Sequence, residues 1–158
     1  MEHAFLPDLV RTMGAHRFRE VAGAAKAIPD AELVLKRQTW NTNRAIVVVS
    51  LPEVPVHFAG YIHRLRRSVA LRCGFFPIFW GIGIQVVIVA PGLAQSDIDP
   101  SQHLARVDNQ WAIVQSMFLV DPVAQAYLVG RTWGQFVTGQ YQDAIAGVLA
   151  RHFPPQGP

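Results

Sequence analysis

The chain has 158 residues, 51% hydrophobic and 16% charged, with one cysteine and a formal net charge of +3. That length predicts one domain able to bury roughly two thirds of its unfolded surface, and a lone thiol excludes an internal disulfide and a four-cysteine zinc site. The charged fraction is below the roughly 25% usual in soluble domains, which predicts an apolar surface or one covered by a partner.

The first predicted helix starts at Asp8, after Pro7, and runs to Ala27, where Pro29 forbids continuation. Leu6, Leu9, Val10 and Met13 form its apolar stripe, extended by Phe18, Val21 and Ala25, with a bend at Gly14. Two strands follow, Glu32 to Trp40 and Arg44 to Leu51, and Asn41-Thr42-Asn43 between them suits an antiparallel hairpin because Asn tolerates left-handed backbone. Ala45-Ile-Val-Val-Val49 is apolar on both faces, which predicts a central strand.

Beyond Pro52 and Pro55, Phe58, Ile62, Leu65 and Val69 recur at helical spacing in a second helix, His57 to Arg72, with Gly74 as a left-handed stop. Residues 73–96 carry no charge and are long enough to span a bilayer. Pro77, Gly81, Gly83, Gln85 and Pro91 interrupt them, however, and the β-branched run Gln85 to Ala90 reads as a buried strand. Residues 91–109 are rich in turn formers, with one short helical turn at Gln102 to Arg106. Gln110 to Val120 and Gln125 to Trp133 read as strands joined by the type I turn Asp121-Pro122-Val123-Ala124. A last helix, Gln140 to Phe153, buries Tyr141, Ile145, Val148 and Leu149 before Pro154 and Pro155.

The resulting expectation is a single α+β domain over residues 1–153 with a disordered tail at 154–158. Its sheet is mainly antiparallel and five-stranded, with three helices in the order α-β-β-α-β-β-β-α. In element order alone this is similar to the roadblock and longin-like family, which implies a five-stranded sheet and a dimeric adaptor role.

Catalytic patterns are sparse. His57 and His63 are six apart and fall on different helix faces, and no histidine pair has the i, i+4 spacing of a helical zinc site. His103 lies in the loop that holds Asp97, Asp99 and Asp108, but the run lacks the Gly and terminal Glu of a calcium loop. Cys73 reads as a buried structural thiol, no serine stands in a Gly-x-Ser-x-Gly elbow, and Glu32 and Lys36 are too far apart on a strand to share one phosphate. Gly81-Ile-Gly83 lacks the third glycine of a dinucleotide loop.

Two constellations remain. Gly130 to Gly139 opens into the last helix, where Arg131, Thr132, Gly134 and Thr138 could hold an anion at a helix amino terminus; the plainer reading makes Thr138 an N-cap. The second helix carries a basic patch of His63, Arg64, Arg66, Arg67 and Arg72, within an amino-terminal excess of eleven Lys or Arg over six Asp or Glu in residues 1–72. Trp40, Phe79, Trp80, Trp111 and Trp133 could serve RNA stacking, or simply fill the core.

The leading expectation is a bacterial-type cytoplasmic interaction or adaptor module without catalysis, self-associating as a dimer through apolar strand or helix surface. The alternatives are a small-ligand or anion binder or enzyme using Gly130 to Gly139, and nucleic-acid binding through the basic helix. No signal peptide, metal or cofactor is expected, and neither membrane nor nucleic acid is the expected partner.

Overall fold

In the computed structural model, residues 3–39, 43–74, 81–104, 112–131 and 135–153 are described. The helical elements are α1 (Phe5–Ala15), α2 (Ala24–Ala27), α3 (Phe58–Cys73) and α4 (Gln135–His152). The strands are β1 (Arg19–Glu20), β2 (Ala31–Gln38), β3 (Asn43–Ser50), β4 (Ile82–Val89), β5 (Ala112–Asp121) and β6 (Ala126–Arg131). Two short 3-10 turns, Leu93–Gln95 and Pro100–His103, interrupt the connection from β4 to β5.

All six strands form one sheet in chain order, β1-β2-β3-β4-β5-β6. The α+β class holds, but the expected five-stranded, mainly antiparallel sheet with three helices is corrected. There are six strands and four helices among the described residues, and both β3–β4 and β4–β5 pair in parallel. An antiparallel hairpin, β2–β3 or β5–β6, flanks this parallel centre on each side. The five-stranded sheet implied by the roadblock and longin-like resemblance is therefore not the one observed.

The physical reason lies in the connections. Parallel neighbours need a crossover of a dozen or more residues, and both the β3–β4 and β4–β5 connections are long enough. Both step the same way along the sheet, so a common right hand puts them on one face. There α3, Leu93, Ile98 and Leu104 pack in one cluster with Val47, Ile84, Val86 and Met117. On the other face α1 and α4 cover Leu35, Ile46, Val48, Val87 and Phe118. Strand β4 is buried at every position, each large aliphatic side chain there contributing about 1.5–3 kcal/mol.

The apolar faces of β3 and β4, part of what suggested self-association, are thus covered by helices and turns of the same chain. No helix among the described residues is long and apolar enough to cross a membrane.

The first predicted helix is three elements. Arg17 takes a positive φ of 65° and ends α1 in a turn, and Gly23, at φ 75°, starts the single turn of α2. Gly74 is not the left-handed stop; its backbone is extended, φ −63° and ψ 151°. Asn43 supplies the cap instead, its side-chain amide donating to the Cys73 carbonyl at 2.9 Å. The last helix begins at Gln135, earlier than expected, which places Thr138 inside α4 rather than at its N-cap. The tail at 154–158 lies outside the described residues.

Candidate functional site

Strands β3, β4 and β5 end together at Ser50, Val89 and Asp121, and a proline within two residues, at Pro52, Pro91 and Pro122, turns each chain away from the sheet. Ligands of open α/β sheets gather at the carboxyl ends of parallel strands. Here those ends enclose a cavity of about 470 Å³, walled by Leu51, Pro52, Val89, Ala90, Pro91, Pro122 and Val123 and completed by His3, Glu32 and Ser50. The size suits a compact ligand.

Asp121 fixes two of these walls. Its Oδ1 accepts from the Val123 and Ala124 amides at 2.9 and 3.0 Å, and its Oδ2 from the Ala94 amide at 3.1 Å. Burial opposes ionisation of Asp121, but the amides of Ala124, Ala94, Val123 and Gly92 outweigh it and hold the carboxyl below its ordinary pKa.

The polar groups of the cavity come from three places in the chain. A β-bulge separates Ala31 from Leu33, opposite Val49 and Val48, so Glu32 is the extra residue of β2. Bulges re-aim side chains, and the Glu32 carboxylate lies 3.8 Å from His3 Nε2, which in turn lies 2.8 Å from Ser50 Oγ. His3 also stacks on Phe5 at 5.8 Å, which fixes its ring plane.

This trio differs from a nucleophile–base–acid relay in one decisive respect. A relay needs the carboxylate on the ring nitrogen remote from the serine, whereas Glu32 and Ser50 face the same Nε2. Nε2 is within hydrogen-bond distance of Ser50 Oγ, whereas Glu32 Oε2, at 3.8 Å from the same atom, is beyond it, so the carboxylate does not complete a relay through the ring. The arrangement presents an imidazole, a hydroxyl and a carboxylate to a ligand.

The sequence-predicted site residues lie elsewhere. Arg131 is engaged by Asp143 of α4, Nη1 to Oδ1 at 2.8 Å, rather than open to an anion. Thr132 and Gly134 lie outside the described residues, as do Trp40, Phe79, Trp80, Trp111 and Trp133.

On α3, His63, Arg64, Arg67 and Arg72 are exposed and Arg66 half-buried. Arg66 is tied to His63 at 3.0 Å. Arg64 and Arg66, two residues apart, point about 160° away from each other round the axis, so the patch is a solvated helix face divided between two flanks. Arg64 and Arg67 border a cavity of about 370 Å³ with Asp30 and Tyr61. Burial, then the Asp30 charge, pushes the Tyr61 phenol far above its ordinary pKa.

His103 packs edge-on against Phe58 at 4.9 Å, and Asp99 accepts from the Ser101 amide. Among the described residues no group of three His, Cys, Asp or Glu is placed to hold a metal. Cys73 is buried.

Sequence reasoning missed His3 and Ser50 because neither belongs to a spaced motif, and it set Glu32 aside with Lys36 as surface. It also missed Arg37 and Arg44, which meet at the opposite end of the sheet in direct register. No known family model matches this chain, and neither curated proteins nor solved structures show a match.

Proposed function

We propose that the chain is a small-molecule-binding domain whose site is the cavity at the carboxyl ends of β3, β4 and β5. The observation that carries this reading is Glu32, bulged out of β2 beside His3 and Ser50 on the rim of an otherwise apolar space of about 470 Å³. Such walls favour a compact, mostly apolar ligand, and the acceptor-rich rim favours one hydroxyl or amine on it. Ligand-observed NMR with a library of small apolar alcohols and amines tests the proposal. Binders are expected to weaken about tenfold on Ser50→Val, a loss of about 1.4 kcal/mol, and to be excluded by Val123→Trp. Fragments that bind both variants as they bind the parent, or the absence of any binder, would overturn it.

A second reading is self-association. Strand β6 forms one edge of the sheet, and Leu128 and Val129 on it are 39% and 38% exposed. It contains neither Pro nor Lys to guard its free backbone groups. A second copy pairing antiparallel along β6 would give a two-fold dimer. Sedimentation should then show a dimer that Leu128→Lys with Val129→Lys dissociates, and a monomer at all micromolar concentrations would remove this reading.

A further inference from the structure

We propose that the cleft between α3 and the turn leading into β2 is a second site, for a small zwitterion with an apolar side chain, its ammonium held by Asp30 and its carboxylate by Arg64 and Arg67. Different residues line this cleft and the cavity of His3, Glu32 and Ser50. The proposal does not depend on that cavity being a binding site.

The negative charge stands on a turn. The Ala31 amide donates to the Ile28 carbonyl at 3.2 Å, closing Ile28-Pro29-Asp30-Ala31, and Asp30 takes a φ of 61°. Proline at the second position with left-handed backbone at the third is the turn that favours Gly or Asn at the third. The turn itself does not call for a carboxylate there. The Asp30 carbonyl accepts from the Ser50 amide at 3.0 Å, which anchors the residue to β3 while its side chain borders the cleft.

The positive charges stand on the helix. Arg64, Arg67, Ser68 and Leu71 fall within about 100° of arc round α3, and all four line the same space of about 370 Å³. Among the described residues no ion pair joins Asp30 to either arginine or engages any of the three. Burial first, then the Asp30 charge, raises the Tyr61 pKa, and Arg64 opposes. The phenol therefore adds no charge of its own, while charges of both signs act on it.

Opposite charges that share one space without closing on each other fit a molecule that carries both. A guanidinium fork matches a carboxylate, and Asp30 matches an ammonium. An inorganic anion would leave Asp30 unused, and a simple cation would meet two arginines. Much of the remaining lining is apolar, and Leu71 in it is 76% exposed. An aliphatic group on the zwitterion would cover that side chain.

Calorimetry at pH 6.5 and low salt tests the proposal by comparing L-leucine with 4-methylpentanoate, which lacks the ammonium, and with leucine amide, which lacks the carboxylate. Leucine should bind at least about tenfold more tightly than either. Leucyl-leucine distinguishes the source: it should bind more tightly than leucine if the site takes peptides, and no more tightly if it takes free amino acids. Asp30→Asn keeps the turn and should remove the preference over 4-methylpentanoate. Arg64→Gln with Arg67→Gln, both on an exposed helix face, should remove the preference over leucine amide. No binding of either zwitterion at millimolar concentration, or equal affinity for leucine and its two analogues, would overturn the proposal. Variants that keep both preferences would overturn it as well.

Discussion

Nε2 of His152, in the last turn of α4, donates to Asp8 Oδ2, in the first turn of α1, at 2.9 Å across 144 residues of chain. Asp8 also meets the Arg11 guanidinium, and Arg151 lies 4.0 Å away. The pair ties together the two helices that cover one sheet face, so a bond near the surface closes the layer over Phe5, Leu9 and Val148. The carboxylate also stands where the positive end of the α1 dipole favours it.

The hydrogen bond from His152, ahead of Arg11 and Arg151, holds the Asp8 carboxyl below its ordinary pKa. A depressed carboxyl contributes stability that is present above its unfolded pKa and is lost as pH falls through the folded one. Asp8→Asn should therefore lower Tm at neutral pH, and the gap from the parent should close with acidification through the carboxylate range. Parallel melts from pH 7 to pH 2 check this; a gap independent of pH would mean that shape rather than charge matters at Asp8.

Asp121 has the same sign of pH dependence but a different cause, since its partners are backbone amides rather than cations. Asp121→Ala strands the amides of Ala94, Val123 and Ala124, and should cost about 3 kcal/mol at neutral pH by urea unfolding. Pro91, Pro122 and Val123 depend on those bonds for their positions, so fragments that bind the cavity should weaken too. Full fragment affinity in a destabilised variant would separate the cavity from the Asp121 turn.

Much of the core was legible because periodicity reports burial directly. Phe58, Ile62, Leu65 and Val69, like Tyr141, Ile145, Val148 and Leu149, are buried as their helical spacing requires. The unbroken apolar runs in β3 and β4 also carried the mark of parallel strands buried on both faces, yet the flanking hairpins drew the expectation toward antiparallel pairing.

Register was less accessible. The expected three-residue loop brings Trp40 opposite Arg44, whereas the observed ladder brings Arg37 there. A shift by an odd number of residues reverses which side chains share a face, so the arginine pair could not be read without the turn. The Glu32 bulge is equally silent in sequence, because it exists only relative to Val48 and Val49.

Cys73 is fully buried at the end of α3, and burial pushes its thiol above the ordinary value, with Lys36 opposing. The thiolate is the reactive form, so alkylation of the native protein by iodoacetamide at neutral pH should be far slower than in urea. Mass spectrometry of timed samples measures the ratio. Equal rates would mean that the end of α3 opens locally.

Gly130 is required by closeness rather than by φ. It lies on β6 opposite Met117, and a Cβ there would stand 2.6 Å from the Pro100 carbonyl carbon and the Ser101 amide nitrogen. These are backbone atoms of the 3-10 turn Pro100–His103, so no side-chain rotation relieves the clash. Either the turn lifts from the sheet or β6 bends outward. Lifting the turn would loosen the Phe58–His103 contact and expose part of the cluster under Leu104. Gly130→Ala should therefore cost about 1–3 kcal/mol. It should also accelerate amide exchange at Ser101 and Gln102 more than in β4, since the central ladder does not depend on that contact. Arg131→Ala, one residue on, breaks an exposed ion pair with Asp143 and should cost less than about 1 kcal/mol. If the two variants were equally mild, the close approach of turn and strand would not be holding the β4–β5 connection in place.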